Sequence, residues 1–288
     1  MSKRNLLNLI LFAFIIILAA FVYFEPGKRV AEIPATLTNL NLNHIKHIKI
    51  SRQANSSSEN NLEFEKTKNG WVMNKPYQHA ANTFRINSVL QLLSTPTFSQ
   101  NDLSNLDMAT FGLDKPRATI TFNTTSIIFG HNKSLKNHRY VQIDSTLHMI
   151  TDTFFYQLAA KSESYLSHKV LPGESKISKL SLPDMQLLKE ESTWVQSPKT
   201  DNYSADSANQ LISEWQLSQA YDIKKLKPKP DSKPDIIIQL ANDKNIKFKI
   251  EKSKSSFNLL NIDTGIRYIL SVDRKDKLLQ LPSINQDD

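Results

Sequence analysis

Cysteine is absent from this chain of 288 residues. That one absence removes disulfides, thiolate nucleophiles, cysteine-ligated zinc and the acylated cysteine of a lipoprotein, while leaving the redox compartment open. Glycine is scarce, at 6 residues, which argues against glycine-rich phosphate loops as a class. No serine nucleophile elbow, Walker loop or metalloprotease helix occurs either. A non-enzymatic protein is therefore expected, with no catalytic residue, cofactor or metal. An envelope hydrolase stays as a distant alternative without an identifiable catalytic set. What remains is an ordinary folding composition: 40% hydrophobic and 22% charged residues with a net charge of +8. It suits one or two globular domains and gives no support to disorder.

The longest apolar run is LLNLILFAFIIILAAFVYF, Leu6 to Phe24, which carries no charge. It has the length that a membrane-spanning helix needs. A cleaved signal peptide would have a shorter apolar core ending in a small-x-small site, whereas Ala19-Ala20 leads into Phe, Val, Tyr and Phe. An uncleaved anchor is the expectation. Lys3 and Arg4 precede the run, and Lys28 and Arg29 follow it, so the charge asymmetry is weak. The short leader nevertheless favours residues 1–5 in the cytoplasm, with 25–40 as a spacer. The remainder would lie outside the inner membrane, in the periplasm of a Gram-negative cell.

Beyond the anchor the sequence repeats. NGWVMNKP from Asn69 and STWVQSPK from Ser192 each follow a strand and a polar turn. Asn82 or Thr83, and Ser204 or Asp206, are placed to cap a helix after them. Ile86, Val89, Leu90 and Leu93 have the spacing of one buried helix face, and Ala208, Leu211, Ile212 and Trp215 have the same spacing. Lys115-Pro116 and Lys233-Pro234 then each open a hairpin pattern, turning at Asn123-Thr124 and Asn242-Asp243. VQIDSTLHMI and LNIDTGIRYI follow, and a short terminal helix closes each copy. The predicted architecture is α+β: two repeated modules, residues 41–168 and 169–288, each a mostly antiparallel sheet with one main helix. Asn55 to Asn61 reads as an exposed hairpin loop. Trp71 and Trp194 read as core anchors between sheet and helix rather than as binding platforms.

The membrane helix, NGWVMNKP, FGLDKPRATITF (Phe111 to Phe122), IIFG (Ile127 to Gly130) and HRYVQI (His138 to Ile143) come in an order that resembles a bacterial envelope family, domain of unknown function 4340. Its most specific piece is Gly112-Leu113-Asp114-Lys115-Pro116. The second module keeps Lys233-Pro234 but has Pro230-Asp231-Ser232 where Gly-Leu-Asp would stand. The resemblance implies an anchored accessory subunit, since members often accompany gliding-type ABC transporters with an ATPase, a permease and a substrate-binding-like membrane protein. It carries no catalytic residues across.

Candidate sites are few. His44 and His47 are three apart at a strand entry, where alternating side chains would point them to opposite faces. His131, His138 and His148 share one hairpin region, while the second module has no histidine. Both groups read as solvated or structural rather than metal-ligating. Asp144 and Asp263 recur at turn sequences, where an Asp bonds its own backbone, and Asp114 reads as a further turn residue. Lysine concentrates in the second module: between Lys224 and Lys254 there are ten lysines and four acids. Lys224, Lys225, Lys227, Lys229, Lys233, Lys247, Lys249 and Lys252 could contact anionic lipid headgroups or acidic glycans, or form a solvated face. Nucleic acid is not an expected partner, because it would require the opposite topology.

Overall fold

The computed structural model describes residues 3–24, 35–53, 60–133, 137–200, 203–227 and 233–282. Most of the spacer, the predicted loop at Asn55 to Asn61 except its last two residues, and Lys229 lie outside them. The chain divides into two compact units, Met1–Ala35 and Thr36–Asp288. The first contains α1 (Lys3–Phe24), a helix of 22 residues. At 1.5 Å per residue it is about 33 Å long, enough to cross a hydrocarbon core of about 30 Å. Its apolar side chains are exposed along its length.

In the second unit, β1 (His47–Arg52), β2 (Asn61–Thr67), β3 (Gly70–Lys75) and β4 (His79–Ala80) precede α2 (Thr83–Leu90). After it come β5 (Ser99–Asp102), β6 (Ala118–Phe122), β7 (Thr125–Lys133), β8 (His138–Ile143), β9 (Thr146–Thr151) and α3 (Phe154–Leu158). A second run follows: β10 (Ile177–Ser181), β11 (Gln186–Glu190), β12 (Thr193–Ser197), α4 (Ala205–Leu217) and β13 (Asp222–Lys225). It closes with β14 (Ile236–Leu240), β15 (Asn245–Glu251), β16 (Phe257–Asn261), β17 (Ile266–Leu270) and α5 (Arg274–Leu279).

The strands form two sheets, ordered β4-β3-β2-β1-β6-β7-β8-β9-β5 and β12-β11-β10-β14-β15-β16-β17-β13. Apart from β4, the two orders correspond place by place. The described pairings are antiparallel, as hairpin-linked strands require. Trp71 lies opposite Lys66 on β2, and Trp194 lies opposite Lys189 on β11. Each Trp is the second residue of its strand, and each strand ends before a cis proline, Pro76 or Pro198. The two indoles are alike in burial, at 7% exposed.

The helices follow from their caps and apolar stripes. The Asn82 side chain accepts from the Arg85 N–H at 3.2 Å, offsetting one of the orphan donors of a helix start. The Ser204 hydroxyl accepts from the Ser207 N–H, and the Ser204 N–H donates to the Ser207 hydroxyl in return, a capping box. All eight apolar positions of the two predicted stripes are buried. In the first copy the stripe runs past α2 into the 3-10 turn Gln91–Ser94, which holds Leu93. In the second it stays on α4, where Trp215 is fully buried and donates its indole N–H to the Leu278 carbonyl at 2.9 Å. That bond ties α4 to α5.

A single continuous core takes residues from both sheets, from Leu37 to Leu278. The linking segment is part of it: Leu166, Val170 and Leu171 are buried. Ser167 N–H donates to the Ala80 carbonyl, and three residues later Val170 N–H donates to the Ser218 carbonyl. A second, small cluster of Leu103, Leu113 and Leu147, with Phe111, Ile128 and Tyr140 against it, lies outside that core. It seats Leu113 of the Gly-Leu-Asp sequence. Gly112 has φ +68° and caps the 3-10 turn Met108–Phe111, with the His131 ring where a Cβ would stand. Gly130 on β7 leaves room for the Phe111 carbonyl, which a Cβ there would meet at 2.2 Å.

One turn expectation needs correction. Asp144 does take the left-handed conformation, at φ 48°, and accepts through its carbonyl from the Gln142 side chain. In the second copy, Asn261 rather than Asp263 closes the turn. Its side-chain oxygen accepts from the Asp263 and Thr264 N–H groups, and Gly265 supplies the positive φ.

Candidate functional site

The predicted lysines do not gather into one patch. Lys247 and Lys249 alternate with the buried Ile246 and Phe248 on β15, which places them on the outer face of the second sheet. Lys224 stands on the same face three strands away, in register with Arg267 on β17. Two cations of that face are charge-compensated. Lys249 meets Asp235 at 2.8 Å, and Arg267 makes paired bonds to Glu251 at 2.5 and 3.0 Å. Lys227, Lys233 and Lys252 are exposed beside the strand ends. Lys225 turns the other way. Its ammonium donates to the Thr264 carbonyl at 2.7 Å and stands 5.9 Å from the Tyr77 ring of the first module.

Lys224 and Lys225 belong to a different feature, a cleft of about 640 Å³ at the seam between the modules. The first module contributes Asn82 and Arg85 from the start of α2, and Lys161, Glu163 and Ser164 from the 3-10 turn Ser162–Tyr165 and its cap. The second contributes Asp222 to Leu226 on and after β13, and His168 comes from the link. The walls are fixed by backbone bonds. Asn82 N–H donates to the Tyr165 carbonyl at 2.7 Å, and Ala220 N–H donates to the His168 carbonyl at 2.9 Å. The His168 ring meets the Ala220 carbonyl through Nδ1 at 2.9 Å, so Nδ1 carries the proton of that bond and Nε2 is left over. Beneath the turn, Tyr165 is fully buried and donates to the Gln157 carbonyl. Burial pushes its phenol up to about 12, against the opposing pull of the Arg52 and Arg85 charges.

The cleft holds four cations, Arg85, Lys161, Lys224 and Lys225, against two carboxylates, Glu163 and Asp222. Asp222 accepts from the Ile223 N–H at 2.9 Å, and Glu163 from the Tyr77 hydroxyl at 3.5 Å. Among the described residues, Arg85, Lys161 and Lys224 have no carboxylate partner. Arg85 and Lys161 escaped the sequence reading because neither lies in a basic run. They reach the lysines of β13 only through the packing of one module on the other.

Beside the cleft, the His79 ring meets the Tyr268 hydroxyl at 3.3 Å, a direct contact between modules. Burial lowers the pKa of His79, partly countered by its bond to the Ser167 backbone. The other histidines are dispersed. His44 ends a 3-10 turn and His47 opens β1. His131 sits against Gly112, His138 stacks on Phe98 at 4.2 Å between centroids, and His148 is buried. Among the described residues no three His, Asp or Glu side chains are grouped to hold a metal ion.

The model of one protein family, domain of unknown function (DUF4340), matches residues 71–234, beginning at Trp71 and spanning the seam. No curated protein and no solved structure matches the chain.

Proposed function

We propose that this chain, which belongs to the DUF4340 family, is a single-pass membrane protein serving as an extracytoplasmic accessory subunit of an ABC-type transporter or envelope assembly. The observation that carries the reading is α1: a helix of bilayer length, apolar and exposed throughout, forming a unit apart from the folded body. Such a surface is stable in hydrocarbon and unstable in water, where each exposed Leu, Ile or Phe forgoes about 1.5–3 kcal/mol of burial. The N-terminus lies in the cytoplasm and the sheets lie beyond the inner membrane.

The folded body is two copies of one module on a shared core, a reading supported by matching strand order, matching Trp register and matching helix stripes. Such a body, held to the bilayer by one helix, suits docking and positioning rather than turnover. The partners on this reading are the transporter's permease and its substrate-binding-like subunit, as the family's usual company suggests.

Purification of the tagged full chain from native membranes in mild detergent tests the proposal. Stoichiometric recovery of an ATPase and a permease is the expected result. Repeated recovery of the protein alone, with the membrane fraction otherwise intact, would overturn it.

A further inference from the structure

We infer that the seam cleft is a binding site for a small hydroxylated oxyanion, a sugar acid or sugar phosphate, held between the two modules. On the outer face, Lys249 and Arg267 are each neutralised by a carboxylate, Asp235 and Glu251. Arg85, Lys161 and Lys224 line the cleft with no carboxylate partner among the described residues, while Lys225 donates to two carbonyls that leave its charge uncancelled. Four cations against two carboxylates leave the recess with an excess of positive charge, which a bound oxyanion offsets through charge-assisted hydrogen bonds.

The remaining lining narrows the ligand. Glu163 and Asp222 stand among the cations as acceptors. They would repel a bare polyanion and welcome the hydroxyl donors of a sugar ring. Ser164 and Asn82 add neutral polar groups, and only Ile223 and Leu226 are apolar, too little surface to seat an acyl chain. A free solute therefore suits the cleft better than a lipid headgroup that carries its own chains. The volume, about 640 Å³, lies within the range of small-molecule sites, about 300–1,000 Å³.

Placement gives the site a consequence. Its cations come from both modules, Arg85 and Lys161 from the first and Lys224 and Lys225 from the second. A ligand touching both sets adds a cross-link where the modules otherwise meet through contacts such as His79 with Tyr268. Ligand binding would therefore stiffen the seam. This inference rests on the cleft alone and is independent of the transporter partner.

Calorimetry on the full chain in nanodiscs of phosphatidylcholine tests it, with glucuronic acid and glucose 6-phosphate as probes and glucose as the neutral control. At least one acidic probe should bind with a submillimolar Kd, and glucose should bind at least about tenfold more weakly. Arg85→Gln and Lys161→Gln should each weaken the acidic probe by about tenfold, the size of one charge-assisted bond. Lys247→Gln on the outer face should leave it unchanged. Lys161 is exposed, so its variant keeps the test valid if Arg85→Gln fails to fold. Replacing the nanodisc lipid with phosphatidylglycerol should leave the Kd unaltered. Absence of heat for both acidic probes up to about 10 mM would overturn the inference. So would binding that ignores both cleft variants. Competition by phosphatidylglycerol would overturn the free-solute assignment in favour of a lipid headgroup.

Discussion

Replacing Trp71 or Trp194 with alanine should destabilise the folded body by nearly equal amounts, because the two indoles occupy corresponding places in two sheets of matching strand order. Each ring is 7% exposed, sits second in its strand and belongs to the shared core. The carbonyl of each is also engaged, by the Ala81 N–H for Trp71 and by the Tyr203 hydroxyl for Trp194. An aromatic side chain removes about 150–250 Å² from water, which at about 25 cal/mol per Å² gives about 4–6 kcal/mol as an upper bound. Truncations of this kind cost about 3–5 kcal/mol in practice. Against a typical margin of about 5–15 kcal/mol, either variant should remain folded but lose a large part of its resistance to urea. Residues 36–288, followed by far-UV circular dichroism so that the lost fluorophore does not bias the reading, are the material for the assay. A variant within about 1 kcal/mol of the parent would refute the core-anchor reasoning. If it also lost a ligand or partner, the exposed-platform reading would replace it.

Three further outcomes follow from particular contacts. Arg139 and Asp152 form a buried pair with bonds of 2.6 and 2.9 Å, while the Gly130 carbonyl and the Phe155 ring complete the surroundings of the guanidinium. Asp152→Ala should cost about 3–5 kcal/mol in a urea titration by leaving that charge unpaired, and Arg139→Met with Asp152→Leu should cost less. His79, held below its ordinary value of 6.5 by burial, resists a proton that the unfolded chain accepts. Its contribution is complete above about pH 6.5 and is lost as the pH falls towards its lowered folded value, so His79→Gln should flatten that part of a stability-against-pH curve. Gly130→Ala should cost at least about 1–3 kcal/mol, read from the thermal midpoint, because the new Cβ meets a backbone carbonyl rather than a yielding side chain.

The local design was legible from residues alone. The caps Asn82 and Ser204, both buried stripes and the turns at Asn123 and Asp243 stand where spacing and turn chemistry place them. These features depend on neighbours within a few positions, where period and side-chain chemistry decide the outcome. The family resemblance was legible for the same reason, and its Gly112-Leu113 pair gains a physical cause in the left-handed backbone of Gly112 against the His131 ring and the burial of Leu113. The cleft was not legible. Arg85 and Lys161 are far apart in the chain, and nothing in their local sequence points to β13. The lysine-rich stretch suggested a basic surface, but Asp235 and Glu251 neutralise neighbours that the strand register sets beside them. The exchange of Asp263 for Asn261 at the second turn was hidden too. Both are good turn formers, and the hairpin register decides between them.

The proposed role requires the sheets to lie on the outer side of the membrane. Alkaline phosphatase, active only outside the cytoplasm, and green fluorescent protein, fluorescent when folded inside it, can each be fused after Asp288 in the full chain. An active phosphatase and a dark fluorescent fusion are expected, both in the membrane fraction, with deletion of α1 abolishing the phosphatase signal. A bright fluorescent fusion with inactive phosphatase would contradict it, placing the sheets in the cytoplasm and the anchor in the opposite orientation.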